Sequence, residues 1–311
     1  MAGAEIVHTS SEDTADLDVT IILPVYNEAE HLEAEVDRVK ASMNASGLSY
    51  EIIIVDDGSK DGSGDIAATI DGVRLIRFAQ NRGSGSARKA GTAAARGRVT
   101  VWTDVDMTYP NDQIPELVKE LEGYDQVVGA RTSEEGTMKA LRVPAKWFIR
   151  KLASFLVSTK IPDLNSGFRA FRTPVAKQYL RHLPPGFSCV TTMTMTFLAG
   201  GYSVKYVPIE YNKRAGRSKF HPIKDTQRYG TQVVRMVLSY NPLRIFLPLG
   251  LLLTVLGFGK IIYDWIEYDG HITTNTLLIV FAAFVTFAVG LLADLVVRVT
   301  RPEYEEPPAS L

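Results

Sequence analysis

The sequence has little cysteine and no histidine or cysteine pattern typical of a metal site. One cysteine, Cys189, occurs among 311 residues, so an internal disulfide is excluded and we expect a small core residue. The five histidines have no ligand spacing, and no Ser-His-Asp or Cys-His arrangement can be read. Residues 1–18 contain no long apolar segment, so we expect no signal peptide and interpret them as a mobile acidic tail.

Charge is unevenly distributed along a chain whose formal net charge is only −1. Residues 1–130 contain 11 Lys and Arg against 23 Asp and Glu, whereas residues 131–244 contain 20 against 5. A basic segment can bind nucleic acid, but no recognised nucleic-acid-binding module or regular aromatic interleaving accompanies it. We therefore expect a membrane surface or an anionic ligand as its partner, and no nucleic acid.

Three predicted strands each end in acidic side chains. Residues 19–25 and 51–55 are rich in Ile and Val without polar alternation, a pattern typical of parallel strands that are covered on both faces. Glu28 follows the first strand, Asp57 the second and Asp104 a third. Ligands bind outside the carboxyl ends of the strands in open α/β sheets, so we expect these acids to meet at one edge.

Asp104 and Asp106 are separated by one residue at the end of the third strand. Two carboxylates in this position can bind Mg²⁺ or Mn²⁺, which usually also takes phosphate oxygens from a substrate. The alternative is that both are solvated turn residues, since Asp is common in turns. Their convergence with Glu28 and Asp57 favours the metal site.

Four motifs in the N-terminal half resemble those of one enzyme family. They are Pro24-Val25-Tyr26-Asn27-Glu28, Val55-Asp56-Asp57-Gly58-Ser59-Lys60-Asp61-Gly62, Asn81-Arg82-Gly83 and Asp104-Val105-Asp106. Together they resemble the inverting nucleotide-sugar glycosyltransferases of family 2, and within it the polyprenyl-phosphate sugar transferases, the group that contains dolichyl-phosphate mannose synthase. The resemblance runs from about residue 19 to the C-terminus and implies an α/β fold of the GT-A (Rossmann-like) class with a mostly parallel sheet.

The resemblance also implies which residues bind the donor and the metal. Donor-binding roles fall on Pro24, Tyr26, Glu28, Val55, Asp57 and Asn81. Asp104 and Asp106 are the implied catalytic metal ligands, with Asp106 the stronger one and Asp104 alternatively acting through the ribose or a water. Relatives often have Gln where this chain has Thr108, so water or phosphate oxygens are expected to complete the metal shell. The glycine-rich turn at residues 81–86 lacks the end of a Walker P-loop and is interpreted as an approach of backbone to the donor.

A second set of residues is implied to bind an acceptor phosphate. It consists of Arg131, Ser166, Lys213, Arg214, Ser218 and Lys219. Catalytic roles are implied for Arg131, Asp163 and Lys219 as well as for the metal ligands. Arg131 could instead be a solvated strand end, and which of Lys213 and Arg214 engages phosphate is open, because lysine cannot form the bidentate clamp of arginine.

Two long apolar runs lie near the C-terminus. They cover residues 245–266, interrupted by Lys260 and Asp264, and residues 270–293. Each approaches the roughly 20 residues that span a bilayer core, so we expect a two-helix transmembrane hairpin over residues 245–297. Arginines flank its outer ends and the connection has none, which by the positive-inside rule predicts cytosolic termini and a cytosolic catalytic domain. We expect the protein to lie in the plasma membrane if its source is a prokaryote and in the endoplasmic reticulum if its source is a eukaryote.

The remaining segments complete the predicted domain organisation. A GT-A catalytic domain covers residues 19–225 and includes an amphipathic interface helix at about 139–159, for which covering of the core is the alternative. A juxtamembrane helix covers residues 226–244, and a cytosolic tail covers residues 298–311.

These expectations combine into one predicted function. The chain is interpreted as a membrane-anchored, Mg²⁺- or Mn²⁺-dependent hexosyltransferase that moves sugar from a UDP- or GDP-linked donor to dolichyl or undecaprenyl phosphate with inversion. A lipid phosphate, with a second pKa of about 6, is already ionised at neutral pH and needs no base. The alternatives are a polysaccharide synthase and a catalytically silent membrane scaffold. The sequence leaves the sugar, the base, the lipid length and a homo-oligomeric state open.

Overall fold

The structure is a computed structural model that describes residues 4–7, 17–132, 151, 154, 161–186, 188–212, 238 and 241–300. The strands in these residues are β1 (Ala4–Val7), β2 (Val19–Val25), β3 (Tyr50–Asp56), β4 (Val73–Phe78), β5 (Val99–Trp102), β6 (Gln126–Arg131), β7 (Arg169–Arg172) and β8 (Val204–Ile209). The helices are α1 (Leu32–Ser46), α2 (Ser63–Thr69), α3 (Ser84–Ala94), α4 (Ile114–Lys119), α5 (Thr173–Tyr179), α6 (Ser188–Ala199), α7 (Leu243–Glu267) and α8 (Thr274–Thr300). Short 3₁₀ helices cover Asn111–Gln113 and Leu180–His182.

The chain divides into two compact units, and the second of them holds α7 and α8. The first unit is built on a single sheet in the order β1-β4-β3-β2-β5-β7-β6-β8. Strands β4, β3, β2 and β5 pair in parallel, as do β6 and β8, whereas β1 and β7 run antiparallel to their neighbours. The predicted mostly parallel α/β sheet is therefore present, with two antiparallel strands added.

Residues 4–7 lie in the segment that the sequence interpretation assigned to a mobile tail. They form the edge strand β1, in which Ala4 lies opposite Phe78 of β4. Ile6 and Val7 are β-branched, and such residues suit an extended strand. The predicted interface helix and juxtamembrane helix lie almost entirely outside the described residues.

The central strands are covered on both faces, as their uninterrupted Ile and Val runs predict. Ile21 and Leu23 of β2 belong to a buried cluster with α1 and α4, whereas Ile22 belongs to a second cluster with α3, α5 and α6. Burying one such aliphatic side chain stabilises the fold by about 1.5–3 kcal/mol. Replacing Ile53, which is fully buried in the second cluster, by Ala is expected to cost about 2–5 kcal/mol.

Strand direction determines which residues reach the edge where a ligand can bind. The carboxyl ends of β2, β3, β5, β6 and β8 lie at the same edge, because β7 reverses direction between β5 and β6. Since β7 is antiparallel, its first residue, Arg169, lies opposite Trp102 at the end of β5. The loop that precedes β7 therefore arrives at the edge that carries the acidic residues.

The second unit contains two helices that are long and apolar enough to cross a membrane. Their most apolar windows have mean hydropathies of 2.1 and 2.6, and only 11% and 17% of those windows is buried. A core helix of a water-soluble protein would be mostly buried, so the exposed apolar faces favour a lipid environment. Close packing within the hairpin is visible at Gly250, where a Cβ atom would lie 2.8 Å from the ring of Phe287.

Both charged residues that interrupt the first apolar run are paired. Lys260 Nζ lies 2.5 Å from Asp264 Oδ1, and the other oxygen of Asp264 accepts bonds from the Thr273 hydroxyl at 2.7 Å and the Thr276 hydroxyl at 2.5 Å. Asp264 thereby connects the end of α7 to the start of α8. Local pairing explains how an apolar helix accommodates these two charges.

Candidate active site

The ends of β2 and β3 bring the predicted donor-side residues together. Pro24 lies opposite Val55 in the parallel strand pair. Tyr26 follows β2 and is partly exposed, while the Glu28 N–H donates to Ser63 Oγ at 3.0 Å. The two loops are therefore bonded to each other, and they form one wall at the edge of the sheet.

Asp57 is buried at this wall and accepts two backbone hydrogen bonds. One comes from the Arg82 N–H at 2.7 Å and the other from the Gly83 N–H at 2.8 Å. Burial raises the pKa of Asp57, and the two backbone bonds act in the opposite direction. Asp57 thus anchors the turn that contains Asn81, which is itself exposed.

The glycine-rich turn at residues 81–86 contacts another segment of the backbone. Gly83 has a φ of +93°, and a Cβ atom there would lie 2.5 Å from the Pro185 carbonyl oxygen. The Ser86 N–H donates to the same oxygen at 3.0 Å. The turn therefore lies against the backbone of residues 184–186, the segment that leads into α6.

Asp104 is held by a buried arginine that the sequence interpretation did not assign. Arg88 Nη2, on α3, lies 2.5 Å from Asp104 Oδ1. The Asn111 side-chain amide donates to the Asp104 carbonyl at 3.0 Å and also to the buried carboxylate of Glu35. Asp104 is therefore fixed through both its side chain and its backbone.

Asp106 is held by its neighbour Thr108. The Thr108 hydroxyl donates to Asp106 Oδ1 at 2.5 Å, and the Thr108 N–H donates to the same atom at 3.3 Å. Between them, Met107 has a φ of +62°, a strained conformation for a residue with a side chain, and such strain is common at functional loops. The Thr108 carbonyl accepts the Asn212 N–H at 3.0 Å, so this loop is also connected to the end of β8.

The chemistry of these two carboxylates fits a hard divalent cation. Mg²⁺ and Mn²⁺ prefer oxygen ligands and are commonly bound through one or two carboxylates together with phosphate oxygens. Within the described residues there is no group of three or more His, Cys, Asp or Glu side chains placed to hold a metal. For a site built on Asp104 and Asp106, oxygens from the ligand or from water remain the expected further ligands.

Arg131 and Asp163, both predicted catalytic residues, form a mostly buried ion pair. Arg131 Nε lies 2.7 Å from Asp163 Oδ2, and Nη2 lies 2.9 Å from Oδ1. Burial alone would raise the pKa of Asp163, but the bonds from Arg131 more than offset it and the pKa lies below its ordinary value. The Arg131 guanidinium also lies over the ring of Tyr211. Arg131 is thus a positioned cation rather than a solvated strand end.

The turn after Asp163 contains Ser166 and Gly167 and is bonded to Tyr109. Ser166 is fully buried, and its hydroxyl has no hydrogen-bond partner among the residues that the structure describes. The Gly167 N–H donates to the hydroxyl of Tyr109 at 2.7 Å, and burial together with the charge of Asp104 raises the pKa of Tyr109. Ser166 therefore lies beneath the surface of the site in this structure.

Four further predicted acceptor-site residues follow β8 in the sequence. Lys213, Arg214, Ser218 and Lys219 lie outside the described residues.

Two site residues that the sequence interpretation missed have recognisable sequence signals. Glu35 lies three residues after Leu32 and four before Val39, so it falls on the apolar face of α1, where an acid is unusual. Arg88 lies among the small residues of α3, between Ala87 and Gly91, which pack closely on the sheet. In each case a charge at a core-facing position was the signal.

Comparisons with known proteins agree with this geometry. The family model described as glycosyl transferase family 2 matches residues 20–180, and the model described as the GtrB C-terminal hairpin matches residues 241–299. The first match covers the sheet edge with its acidic residues, and the second covers α7 and α8. The expected family and the expected C-terminal hairpin are therefore confirmed.

Curated relatives include two kinds of lipid-phosphate sugar transferase. The undecaprenyl-phosphate 4-deoxy-4-formamido-L-arabinose transferase of Aeromonas hydrophila is 29% identical, with 92% of each chain covered. The dolichyl-phosphate hexose transferase of Haloferax volcanii is 30% identical, with 71% of this chain and 95% of the relative covered.

A solved structure shares the fold. Glucosyl-3-phosphoglycerate synthase from Mycobacterium tuberculosis, in complex with Mn²⁺, UDP and phosphoglyceric acid, has a TM-score of 0.56 and 24% identity. The match covers 72% of this chain and 78% of that chain. At this identity the likeness shows the fold alone, and it confirms the expected α/β class. Since a family model matches more than half of the sequence and a lipid-phosphate sugar transferase matches over two thirds of it, the chain belongs to glycosyl transferase family 2.

Proposed function

We propose that the protein transfers a hexose-type sugar from a nucleotide sugar to polyprenyl phosphate, with inversion, at the cytosolic face of a membrane. The observation that carries this proposal is the common sheet edge on which Asp57, the Asp104 and Asp106 pair, and the Arg131–Asp163 ion pair all lie. The names of the curated relatives support the class of acceptor.

The donor nucleotide is assigned to the wall formed by the ends of β2 and β3. Asp57 is fixed by backbone N–H groups, so its carboxylate keeps one orientation without a ligand and loses little entropy on binding. A fold neighbour in complex with UDP supports a uridine nucleotide, and a GDP-linked donor is the alternative.

Asp104 and Asp106 would hold Mg²⁺ or Mn²⁺, which when bound supplies positive charge beside the departing diphosphate. The protein's part is to keep both carboxylates in place before the donor arrives. Arg88 and Asn111 fix Asp104, and Thr108 fixes Asp106. Thr108 therefore orients the proposed metal ligand Asp106.

The acceptor phosphate is assigned to the side of the edge formed by Arg131 and the loop before β7. Asp163 orients the Arg131 guanidinium through two hydrogen bonds, and the basic segment of residues 131–244 supplies further cations. An oxygen of the ionised lipid phosphate attacks the anomeric carbon as the bond to the nucleoside diphosphate breaks. The diphosphate leaves with the electron pair, and no proton has to be removed from the nucleophile.

Membrane attachment is assigned to α7 and α8, with both termini in the cytosol. The absence of Lys and Arg in the connection at residues 267–271 supports this orientation, as do the arginines that flank the hairpin. We further propose a catalytic domain over residues 19–225, to whose sheet β1 adds an edge strand, with an interface helix at about 139–159 and a juxtamembrane helix at 226–244.

A panel of UDP- and GDP-linked sugars, each incubated with the purified full chain and a short polyprenyl phosphate, tests the proposal. We expect one donor to yield lipid-linked sugar, and we expect EDTA to stop the reaction. Release of free sugar without lipid-linked product, from every donor in the panel, would contradict the proposal.

A further inference from the structure

Arg169, the first residue of β7, is a buried cation without an acidic partner in the part of the chain that the structure describes. Its side chain is fully buried. Its hydrogen bonds go to neutral acceptors, namely the carbonyl groups of Ser166 and Val190 and the hydroxyl of Thr194. Burial, reinforced by nearby Arg88, lowers the pKa of Arg169 to about 10, so the guanidinium is charged at neutral pH. A buried charge with neutral partners costs folding free energy.

The bonds of Arg169 join two separate elements. Nε and Nη2 both donate to the Ser166 carbonyl, the former at 3.1 Å. On the other side, Nη1 donates to the Val190 carbonyl at 2.7 Å and to Thr194 Oγ1 at 2.8 Å, both on α6. The planar guanidinium therefore holds the turn before β7 at a fixed distance from α6, which a single-point donor such as lysine cannot do.

The turn that Arg169 holds packs directly against Asp104. A Cβ atom at Gly167 would lie 3.0 Å from Asp104 Oδ2 and 3.2 Å from Arg88 Nη2. The Gly167 N–H is itself bonded to Tyr109. Glycine at this position therefore leaves the Asp104 carboxylate room beside the turn, and a shift of the turn toward Asp104 would reduce that room.

We propose that Arg169 is a positioning residue that fixes the Asp104 carboxylate for the metal by holding the Ser166–Gly167 turn. It acts through this turn and does not contact the substrate. The inference rests on the proposed metal-dependent transfer, because it assigns Arg169 to the orientation of a metal ligand. Groups that orient metal ligands typically contribute 10- to 100-fold to metal affinity.

The variant Arg169→Lys keeps the charge and removes the two-sided clamp. We expect kcat to fall by about 10- to 100-fold, since a displacement of about 1 Å in a positioned group can cost about a hundredfold. The donor KM should change far less, because Asp57 and its turn are untouched. Mn²⁺ affinity, measured by electron paramagnetic resonance on the full chain with nucleoside diphosphate present, should weaken by about 10- to 100-fold.

Two further variants separate positioning from folding. Arg172→Lys is the matched control, because Arg172 lies at the opposite end of the same strand, where its Nε faces Asp125 Oδ1 at 3.6 Å. It should leave kcat and Mn²⁺ affinity unchanged. Thr194→Val removes one acceptor of Arg169 with little change in shape and should lower both quantities in the same direction, by less than Arg169→Lys.

The outcomes distinguish this inference from the proposed function. The inference would be overturned if Arg169→Lys kept the wild-type kcat and Mn²⁺ affinity. It would also be overturned if the Tm of this variant fell while its kcat and Mn²⁺ affinity, each expressed per folded protein, stayed unchanged. If Arg169→Lys does not fold, a wild-type kcat and a wild-type Mn²⁺ affinity in Thr194→Val would overturn the inference. Lack of both sugar transfer and Mn²⁺ binding in the unmodified protein would instead overturn the proposed function.

Discussion

Removing the Asp163 carboxylate is expected to destabilise the catalytic unit strongly. The variant Asp163→Asn keeps the shape of the side chain but removes the carboxylate that accepts two hydrogen bonds from the guanidinium of Arg131, whose side chain is only 14% exposed. Asp163 also accepts the backbone N–H groups of Arg131 at 3.2 Å and Asn165 at 3.0 Å. Removing one partner of a buried ion pair costs about 3–5 kcal/mol, because the other charge remains buried.

The expected change is large enough to measure by thermal unfolding of the full chain in detergent. A loss of about 3–5 kcal/mol lowers the Tm of a unit of 150–250 residues by about 6–20 °C. The matched control is Asp18→Asn, which removes the partner of Arg98 in a pair whose side chains are 27% and 53% exposed. Exposed pairs contribute at most about 1 kcal/mol, so the control should shift Tm by only about 4 °C or less.

The same pair predicts a pH dependence of defined sign. The pKa of Asp163 in the folded protein lies below its ordinary value of 3.8, since the bonds from Arg131 outweigh burial. A carboxyl of this kind stabilises the fold above its unfolded pKa and loses that contribution as pH falls through its folded pKa. The difference in Tm between wild type and Asp163→Asn should therefore narrow on acidification below about pH 3.8. Equal Tm losses in the two Asp→Asn variants, or a difference that grows in acid, would refute the reasoning.

Three further predictions concern the site and the membrane. Asp106→Asn should abolish transfer and leave Tm nearly unchanged, because it removes a proposed metal ligand at the edge of the sheet; full turnover would contradict the assignment. Arg131→Ala should slow transfer to polyprenyl phosphate by about 10- to 100-fold, as expected for a lost charge-assisted contact of about 1.5–3 kcal/mol, and calorimetry should find nucleoside diphosphate binding much less affected. Equal losses in both assays would assign Arg131 to the donor. Cysteine introduced at Asp269 should be labelled from outside intact cells and cysteine at Glu305 should not, with buried Cys189 giving no background; the reverse pattern would overturn the topology.

Much of the sheet could be predicted because its central strands carry a strong local signal. The Ile and Val runs of β2 and β3 predicted strands buried on both faces, and both are. The acids that follow them reach one edge, since parallel strands share a direction. β7, by contrast, has only four residues, two of them arginines, and nothing in Arg169–Arg172 indicates that it inserts antiparallel between β5 and β6.

The parts of the site that could not be predicted depend on contacts between distant segments. A charge among the small residues of α3 singles out Arg88, but its pairing with Asp104 depends on how α3 packs on the sheet. The glycine-rich turn predicted an approach of backbone to the donor, whereas the contact of Gly83 with Pro185 depends on a segment about a hundred residues later in the chain. Arg131 was predicted as a phosphate-binding cation, and its bidentate partner Asp163 became visible only in the folded chain.

The most direct test of the central claim compares two lipids that differ only in the acceptor group. Purified full-length protein, with its nucleotide-sugar donor and Mn²⁺, is given polyprenyl phosphate in one reaction and the polyprenol of equal length in the other, and products are identified by mass spectrometry. The account predicts polyprenyl-phosphate sugar in the first reaction, because an ionised phosphate needs no base to act as nucleophile. It predicts no glycosylated product in the second reaction, because a hydroxyl group does need one. Transfer to the polyprenol at a comparable rate, or to neither lipid, would contradict it.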